Sequence, residues 1–121
     1  MDDQELVLRV RFYRTDSGKE PVRDWLKRLA PEQRKLIGED LKSVQFGWPL
    51  GMPLVRKLEP DLWEVRSTLP QGIARVLFTV LGHVMVLLHG FIKKSQKTPP
   101  QELETTRRRL RHVQRDEPDD E

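Results

Sequence analysis

The sequence has no cysteine and no apolar run long enough to cross a membrane. Without cysteine among its 121 residues, the chain can form neither disulfides nor thiolate metal sites, which fits a reducing compartment. No stretch reaches the roughly 18 apolar residues of a membrane span. Residues 1–5 carry acids where a signal peptide would carry basic residues. These absences predict a soluble cytoplasmic protein with no membrane partner.

The sequence motifs of metal- and nucleotide-dependent enzymes are missing as well. The three histidines are scattered, and no pair of carboxylates recurs at ligand spacing. Neither a Gly-rich phosphate loop nor a nucleophile elbow occurs. We therefore predict no metal and no cofactor, and we expect any catalysis to depend on cationic side chains.

An acidic C-terminus masks the basic character of the rest of the chain. The formal net charge is +3, but residues 116–121 hold five of the 19 acidic residues and none of the 22 basic ones, so residues 1–115 carry +8. A chain of this length, 36% hydrophobic, can build one core. We predict a single domain over residues 1–115 and a disordered acidic tail over residues 116–121. A basic domain favours a polyanionic partner.

Residues 62–99 contain the only long apolar region of the sequence. Short links with Pro or Gly separate three strand-like segments, which are residues 62–67, 73–80 and 84–92. Strands joined so closely predict a three-stranded antiparallel meander. Because successive side chains of a strand point to opposite faces, Arg75 interrupts an otherwise apolar face of the second strand.

Elements on both sides of this region predict an α+β fold. Residues 6–13 alternate apolar and polar side chains like a half-buried strand. Residues 20–29, and those from Pro31 to about Gly47, predict a helical hairpin. The apolar side chains at helical spacing are Val22, Trp25, Leu26 and Leu29 in the first helix and Ile37, Leu41 and Val44 in the second.

The segments before and after the meander differ in their regularity. Residues 47–58 contain two Gly and two Pro and are predicted to form a loop. Residues 99–113 predict a last helix with a thin apolar stripe, a basic surface and Thr98 as its N-cap.

Three stretches carry a family resemblance: GKEPVRDWLKRL at residues 18–29, LWEVRSTLPQGIARVLF at 62–78 and HVMVLLHGFIKKSQKTPPQE at 83–102. They resemble the phage-derived, HigB-like branch of the RelE/ParE superfamily of toxins. The resemblance covers roughly residues 6–112. It implies the small RelE-like fold, with an N-terminal strand, a helical hairpin, a three-stranded meander and a C-terminal helix.

The same resemblance implies a function. Members of this branch are toxins of type II toxin-antitoxin systems, and they cleave messenger RNA on the ribosome until an antitoxin neutralises them. The resemblance therefore implies an mRNA endoribonuclease whose partners are mRNA, the ribosome and a cognate antitoxin, expected to be a helix-turn-helix DNA-binding protein encoded next to it.

The resemblance also implies catalytic cations on the central strands and at the end of the last strand, which correspond here to Arg66, Arg75, Lys93 and Lys94. RNA cleavage without a metal needs a base for the 2′-hydroxyl, cations for the crowded phosphorane and a proton donor for the leaving oxygen. The planar fork of arginine can hold two phosphate oxygens. As the general base we favour the lysine pair.

His89 is the competing base. It alternates with Leu87 and Phe91, which predicts a shared face and also fits a structural, hydrogen-bonded histidine. Further basic residues are candidates for RNA binding, although each also fits a solvated surface: Arg56, Lys57, Lys97, Arg107 and Arg108. Two other functions remain open, a non-catalytic basic domain that binds RNA or protein, and a superfamily relative that inhibits gyrase.

Overall fold

A five-stranded sheet with helices on both faces forms the core of the computed structural model, which describes residues 5–116. The elements in chain order are β1 (Arg9–Phe12), α1 (Pro21–Arg28), α2 (Pro31–Gly47), β2 (Val55–Glu59), β3 (Leu62–Leu69), β4 (Gly72–Leu81), β5 (Val84–Lys93) and α3 (Pro100–Asp116). The predicted α+β class, N-terminal strand, helical hairpin, meander and last helix are confirmed. In this part of the chain, no helix combines the length and the apolar character that crossing a membrane requires.

The strand order is β1-β5-β4-β3-β2. The neighbouring pairs from β2 to β5 are antiparallel, whereas β1 runs parallel to β5. The meander thus has one strand more than predicted, and the prediction of a loop over residues 47–58 is wrong for its last part. Within the predicted loop of residues 47–58, glycine and proline occur only in residues 47–53. Residues Val55–Glu59 contain neither, and they pair with β3 in antiparallel register.

The two faces of the sheet carry separate apolar cores. One face packs against the helical hairpin. Of the hairpin side chains at helical spacing, four are buried, which are Val22, Ile37, Leu41 and Val44, and three are partly buried, which are Trp25, Leu26 and Leu29. The opposite face packs against α3, where only Leu110 and Val113 are buried apolar residues. Since α3 covers less apolar surface, polar side chains share this second face with it.

A β-bulge in β5 decides which face His89 occupies. Phe78 pairs with Leu87 and Leu77 pairs with His89, so Leu88 is an extra residue between them. Leu87 lies in the core under the hairpin, whereas His89 follows Leu88 onto the α3 face. The prediction that His89 shares a face with both Leu87 and Phe91 is therefore wrong for Leu87, because simple alternation cannot anticipate a bulge.

The prediction for the start of α3 and the prediction for the acidic tail have different outcomes. The Thr98 hydroxyl donates to Glu64 at 2.7 Å and does not cap α3, whose first backbone acceptor is the Pro99 carbonyl. The Thr98 N-cap was therefore predicted wrongly, because a buried carboxylate competes for its hydroxyl. Of the predicted disordered tail, Asp116 ends α3, and residues 117–121 lie outside the described residues.

Candidate functional site

Arg75 lies on β4 near the centre of the sheet, on the face covered by α3, and its side chain is completely buried. Its Nη2 donates to the Ser95 carbonyl, and the guanidinium carbon lies 5.8 Å from the centre of the Phe91 ring. Nε and Nη1 are also buried, and neither has a hydrogen-bond partner within residues 5–116. Because buried N–H groups normally find acceptors, these two unpartnered donors could bind an incoming acceptor group once the segment that covers them moves.

Arg66 and Glu64 occupy the neighbouring strand on the same face. Arg66 pairs directly with Arg75 across β3 and β4, and its Nη1 donates to Glu64 Oε2 at 3.0 Å. The Glu64 side chain is fully buried. Burial is the main cause that lowers the pKa of Arg75, Glu64 counteracts this effect, and Arg66 and Arg56 add to it. Glu64 therefore supplies the negative charge that offsets a group of cations.

Residues 95–98, which we call the strap, connect β5 to α3 and pass over these side chains. Arg56 Nη1 donates to the Gln96 carbonyl at 3.3 Å, and Arg66 Nη2 donates to Gln96 Oε1, also at 3.3 Å. Arg75 bonds to Ser95 and Thr98 to Glu64. The strap thus closes over the three arginines, Arg56, Arg66 and Arg75, which we call the cationic cluster.

His89 lies on the same face, between β5 and α3. Its Nε2 is 2.6 Å from Glu102 Oε1, and its Nδ1 is 3.2 Å from Arg109 Nη1, which also donates to the Leu88 carbonyl. A guanidinium can only donate, so Nδ1 is the acceptor and the ring proton sits on Nε2, where it is donated to Glu102. Burial lowers the pKa of His89 despite the hydrogen bond to Glu102. The imidazole is neutral with both nitrogens engaged.

Lys93 and Lys94 are exposed at the end of β5, where the strap begins. Lys93 pairs with Ile73, so it projects from the same face as Phe91 and Arg75. Lys94 is the next residue. Ser95, one residue beyond Lys94, accepts from Arg75, so the end of β5 lies next to the two central-strand arginines.

The five candidate RNA-binding residues do not form one group. Arg56 belongs to the cationic cluster, and Lys97 is exposed in the strap. Lys57 projects from the opposite face, with its Nζ 5.7 Å from the centre of the Trp63 ring. Arg107 bonds to Glu59 through Nε and Nη2.

The fifth candidate, Arg108, lies away from the cationic cluster. It lines a cavity toward the end of α3, together with Arg111 and Arg115. Only Arg56 and Lys97 therefore lie at the cationic cluster.

One group with metal-ligand chemistry occurs within residues 5–116, and it lies near the end of α3. His112 Nε2 is 3.1 Å from Asp16 Oδ1 and 2.9 Å from Asp116 Oδ2, while His112 Nδ1 bonds to the Tyr13 hydroxyl at 2.7 Å. Contacts of His112 with the two carboxylates and with Tyr13 account for this arrangement, and they bury His112 partly.

Sequence reasoning missed several polar residues that hold this face together: Glu64, Gln96, Glu102 and Arg109. Glu64 could have been identified from the sequence, because it lies two residues before Arg66 on the same strand and must therefore share its face. The other three act through contacts between α3, the strap and the sheet, which residue spacing does not encode.

The family described as "Phage derived protein Gp49-like (DUF891)" matches residues 24–111, which include the cationic cluster, the strap and most of α3. The chain therefore belongs to this family, a RelE/ParE-like family associated with toxin-antitoxin systems. This membership suggests an antitoxin as a partner. Among curated proteins no match is found.

Proposed function

We propose that this Gp49-like protein is the toxin of a type II toxin-antitoxin system, of the HigB-like branch, and that it cleaves ribosome-bound messenger RNA in the cytoplasm without a metal. The observation that supports this most directly is Arg75, a fully buried guanidinium with two unpartnered N–H groups, directly opposite Arg66. Two arginines side by side present the donors and charge that a phosphodiester requires.

The proposed reaction is transesterification. The RNA 2′-oxygen attacks the adjacent phosphorus, the bond from phosphorus to the 5′-oxygen breaks, and the products carry a 2′,3′-cyclic phosphate and a 5′-hydroxyl. The 2′-hydroxyl proton goes to a general base, and the departing oxygen receives a proton from a general acid. Arg75 and Arg66 stabilise the extra negative charge on the phosphorane.

The contacts of His89 favour a lysine as the base. The Nδ1 lone pair of His89 accepts from Arg109, and Nε2 is held by Glu102, so the imidazole has no free lone pair for a substrate proton. Lys93 and Lys94 are exposed next to the strap. On this proposal, Lys93→Ala or Lys94→Ala slows cleavage by roughly 10²- to 10⁴-fold. Loss of this size in a folded His89→Gln protein, with both lysine variants near wild type, would contradict the assignment.

Substrate binding also requires the strap to move. In the closed arrangement the Ser95 carbonyl and the Gln96 side chain occupy donors of Arg75 and Arg66. Phosphate oxygens are acceptors too, and they carry charge, so they can replace these neutral oxygens with stronger bonds. RNA binding therefore exchanges protein acceptors for phosphate acceptors on the same donors.

The test is Arg75→Ala, with Arg28→Ala as the matched control because Arg28 is an exposed arginine on α1. Induction of the wild type without an antitoxin should arrest growth and cut messages, and so should the Arg28 variant. Arg75→Ala should fold, as judged by circular dichroism and thermal unfolding, but should cause no arrest. A folded Arg75→Ala protein that still stops growth would contradict the proposal.

A non-catalytic basic binder is the second candidate, and the exposed lysines Lys93, Lys94 and Lys97 favour it, because they form a positive surface that needs no access to Arg75. Loss of one phosphate contact would weaken RNA binding modestly in this case, with no cleavage to lose. For the endonuclease, Arg75→Ala abolishes cleavage and retains much of the binding. Purified protein with a labelled RNA distinguishes the two.

The antitoxin should cover either the strap or α3. The apolar contact between α3 and the sheet is thin, and α3 lies outside the strand ladder, so it should open more easily than the central strands. Hydrogen exchange on a complex with the helix-turn-helix protein encoded nearby should show protection of residues 93–97 or of α3. Unchanged exchange in both segments would exclude this mode of neutralisation.

A further inference from the structure

A cavity of about 540 Å³ opens beside the cationic cluster, between α2, the segment before β2, and the strands β3 and β4. Its walls include Asp40, Met52, Leu54, Arg66, Ile73 and Gln96. This volume lies within the range of small-molecule sites in proteins. We call it the side cavity.

The walls of the side cavity combine apolar surface with a carboxylate. Met52 is 63% exposed, an unusual degree for a large apolar side chain, and Leu54 and Ile73 add further apolar surface. Asp40, on α2, has no hydrogen-bond or ion-pair partner within the part of the chain that the structure describes. Its carboxylate would repel a second phosphate, but it would accept from a group that offers N–H donors.

Two residues connect the side cavity to the cationic cluster. Arg66 and Gln96 line the cavity, and they bond to each other at 3.3 Å in the closed arrangement. When the strap opens for RNA, Gln96 leaves the cavity wall and Arg66 remains. A phosphate held by Arg66 would therefore place the neighbouring nucleoside of the same strand at the mouth of the cavity. In single-stranded RNA the bases are free to turn outward into such pockets.

We propose that the side cavity binds one nucleobase of the RNA beside the bound phosphate and that Asp40 reads its Watson–Crick edge. The inference rests on the proposed function. Guanine is the base that fits best, because its N1–H and its 2-amino group lie side by side and match the two oxygens of a carboxylate. Met52 packs on the face of the base, as apolar side chains do in base pockets.

The experiment compares cleavage-site preferences on a single-stranded RNA library of random sequence, with the cut ends sequenced. The wild type should favour guanine at one fixed position next to the cut, by on the order of tenfold or more, as a bidentate contact predicts. Asp40→Asn should lose most of this preference, since an amide offers only one acceptor oxygen. Met52→Ala should raise KM for all sequences.

Matched controls come from the same region of the chain. Glu39→Gln alters the neighbouring acid on α2, and Leu36→Ala shortens another exposed apolar side chain, 41% exposed, on the same helix. Neither lines the side cavity, and both should keep the wild-type preference. Cleavage without a guanine preference, or a preference that survives Asp40→Asn, would overturn the inference and leave the proposed function intact.

Measurements of RNA binding test base recognition independently of RNA cleavage. If the wild type cuts no RNA, the proposed function fails. Fluorescence anisotropy with short oligonucleotides that carry G, A, C or U at one site then tests whether the side cavity binds a base. Tighter binding of the guanine oligonucleotide, lost in Asp40→Asn, supports base recognition. Equal binding of all four by the wild type excludes it.

Discussion

Arg66 and Arg75 are direct cross-strand neighbours on β3 and β4, and both face α3. Like charges directly opposite each other destabilise a sheet. Glu64 lies on the same face, fully buried, and bonds to Arg66 at 3.0 Å. The fold therefore tolerates the pair because a carboxylate is enclosed with it.

Removal of the Glu64 carboxylate should lower the unfolding free energy. Glu64→Ala leaves buried arginines without a counter-charge, and we expect a loss of about 3–5 kcal/mol of unfolding free energy, as for other broken buried pairs. Urea denaturation measures it. Glu59→Ala removes the partly exposed acid that bonds to Arg107 and is the control, with a much smaller expected effect. Equal losses in the two variants would contradict this account of Glu64.

Arg75→Met should separate stability from activity. The arginine is buried with two unpartnered donors, and burial of unsatisfied polar groups is unfavourable. Methionine keeps much of the volume and needs no partner, while Glu64 retains its bonds to Arg66 and Thr98. We expect an unfolding free energy unchanged or higher by about 1 kcal/mol, together with loss of growth arrest. A variant that is strongly destabilised would instead identify Arg75 as a structural residue.

Acid should weaken the contact between α3 and β5 through His89. Burial lowers the pKa of His89 in the folded protein below the ordinary 6.5, so below pH 6.5 the unfolded chain binds this proton more readily than the folded chain does. Stability should therefore fall as the pH drops from 6.5 toward the lowered pKa. Protonation also removes the Nδ1 acceptor of Arg109.

The measurement is the unfolding free energy of the wild type and of His89→Gln as a function of pH. The variant should lose the part of the pH dependence that begins near pH 6.5, while the carboxylate effects at lower pH persist. Identical curves for the two proteins would show that His89 does not titrate differently on unfolding.

Gly90 allows Trp25 to pack directly on the backbone of β5. A Cβ at Gly90 would lie 2.4 Å from the Trp25 ring, so Gly90→Ala should destabilise the protein by about 1–3 kcal/mol through overpacking. Gly38 on α2 has open space around it, and Gly38→Ala should add roughly 0.5–1 kcal/mol from helix propensity. Thermal unfolding of both variants checks these opposite signs.

Local patterns in the sequence predict most of the fold, because each depends on neighbouring residues. Helical spacing correctly identifies Ile37, Leu41 and Val44 as the buried stripe of α2. Alternation correctly places Arg75 inside an apolar face. Strand β2 was missed because its five residues do not alternate regularly between apolar and polar side chains and closely follow a segment rich in glycine and proline.

The candidate site is less predictable from the sequence. The bulge at Leu88 shifts His89 to the α3 face, and no local preference for this bulge is visible. The contacts of Gln96 with Arg56 and Arg66 join residues 40 and 30 positions apart. Such contacts arise only when the strap folds back over a completed sheet.

On the proposed function, the closed strap would make RNA binding a two-step equilibrium. RNA would reach the arginines only in molecules in which residues 95–98 have left them, so the apparent dissociation constant would be the intrinsic one divided by the open fraction. With about one molecule in a hundred open, affinity falls about a hundredfold. A change that loosens the strap, such as Gln96→Ala, would make the protein more potent. A partner that holds the strap closed would silence it without touching the arginines.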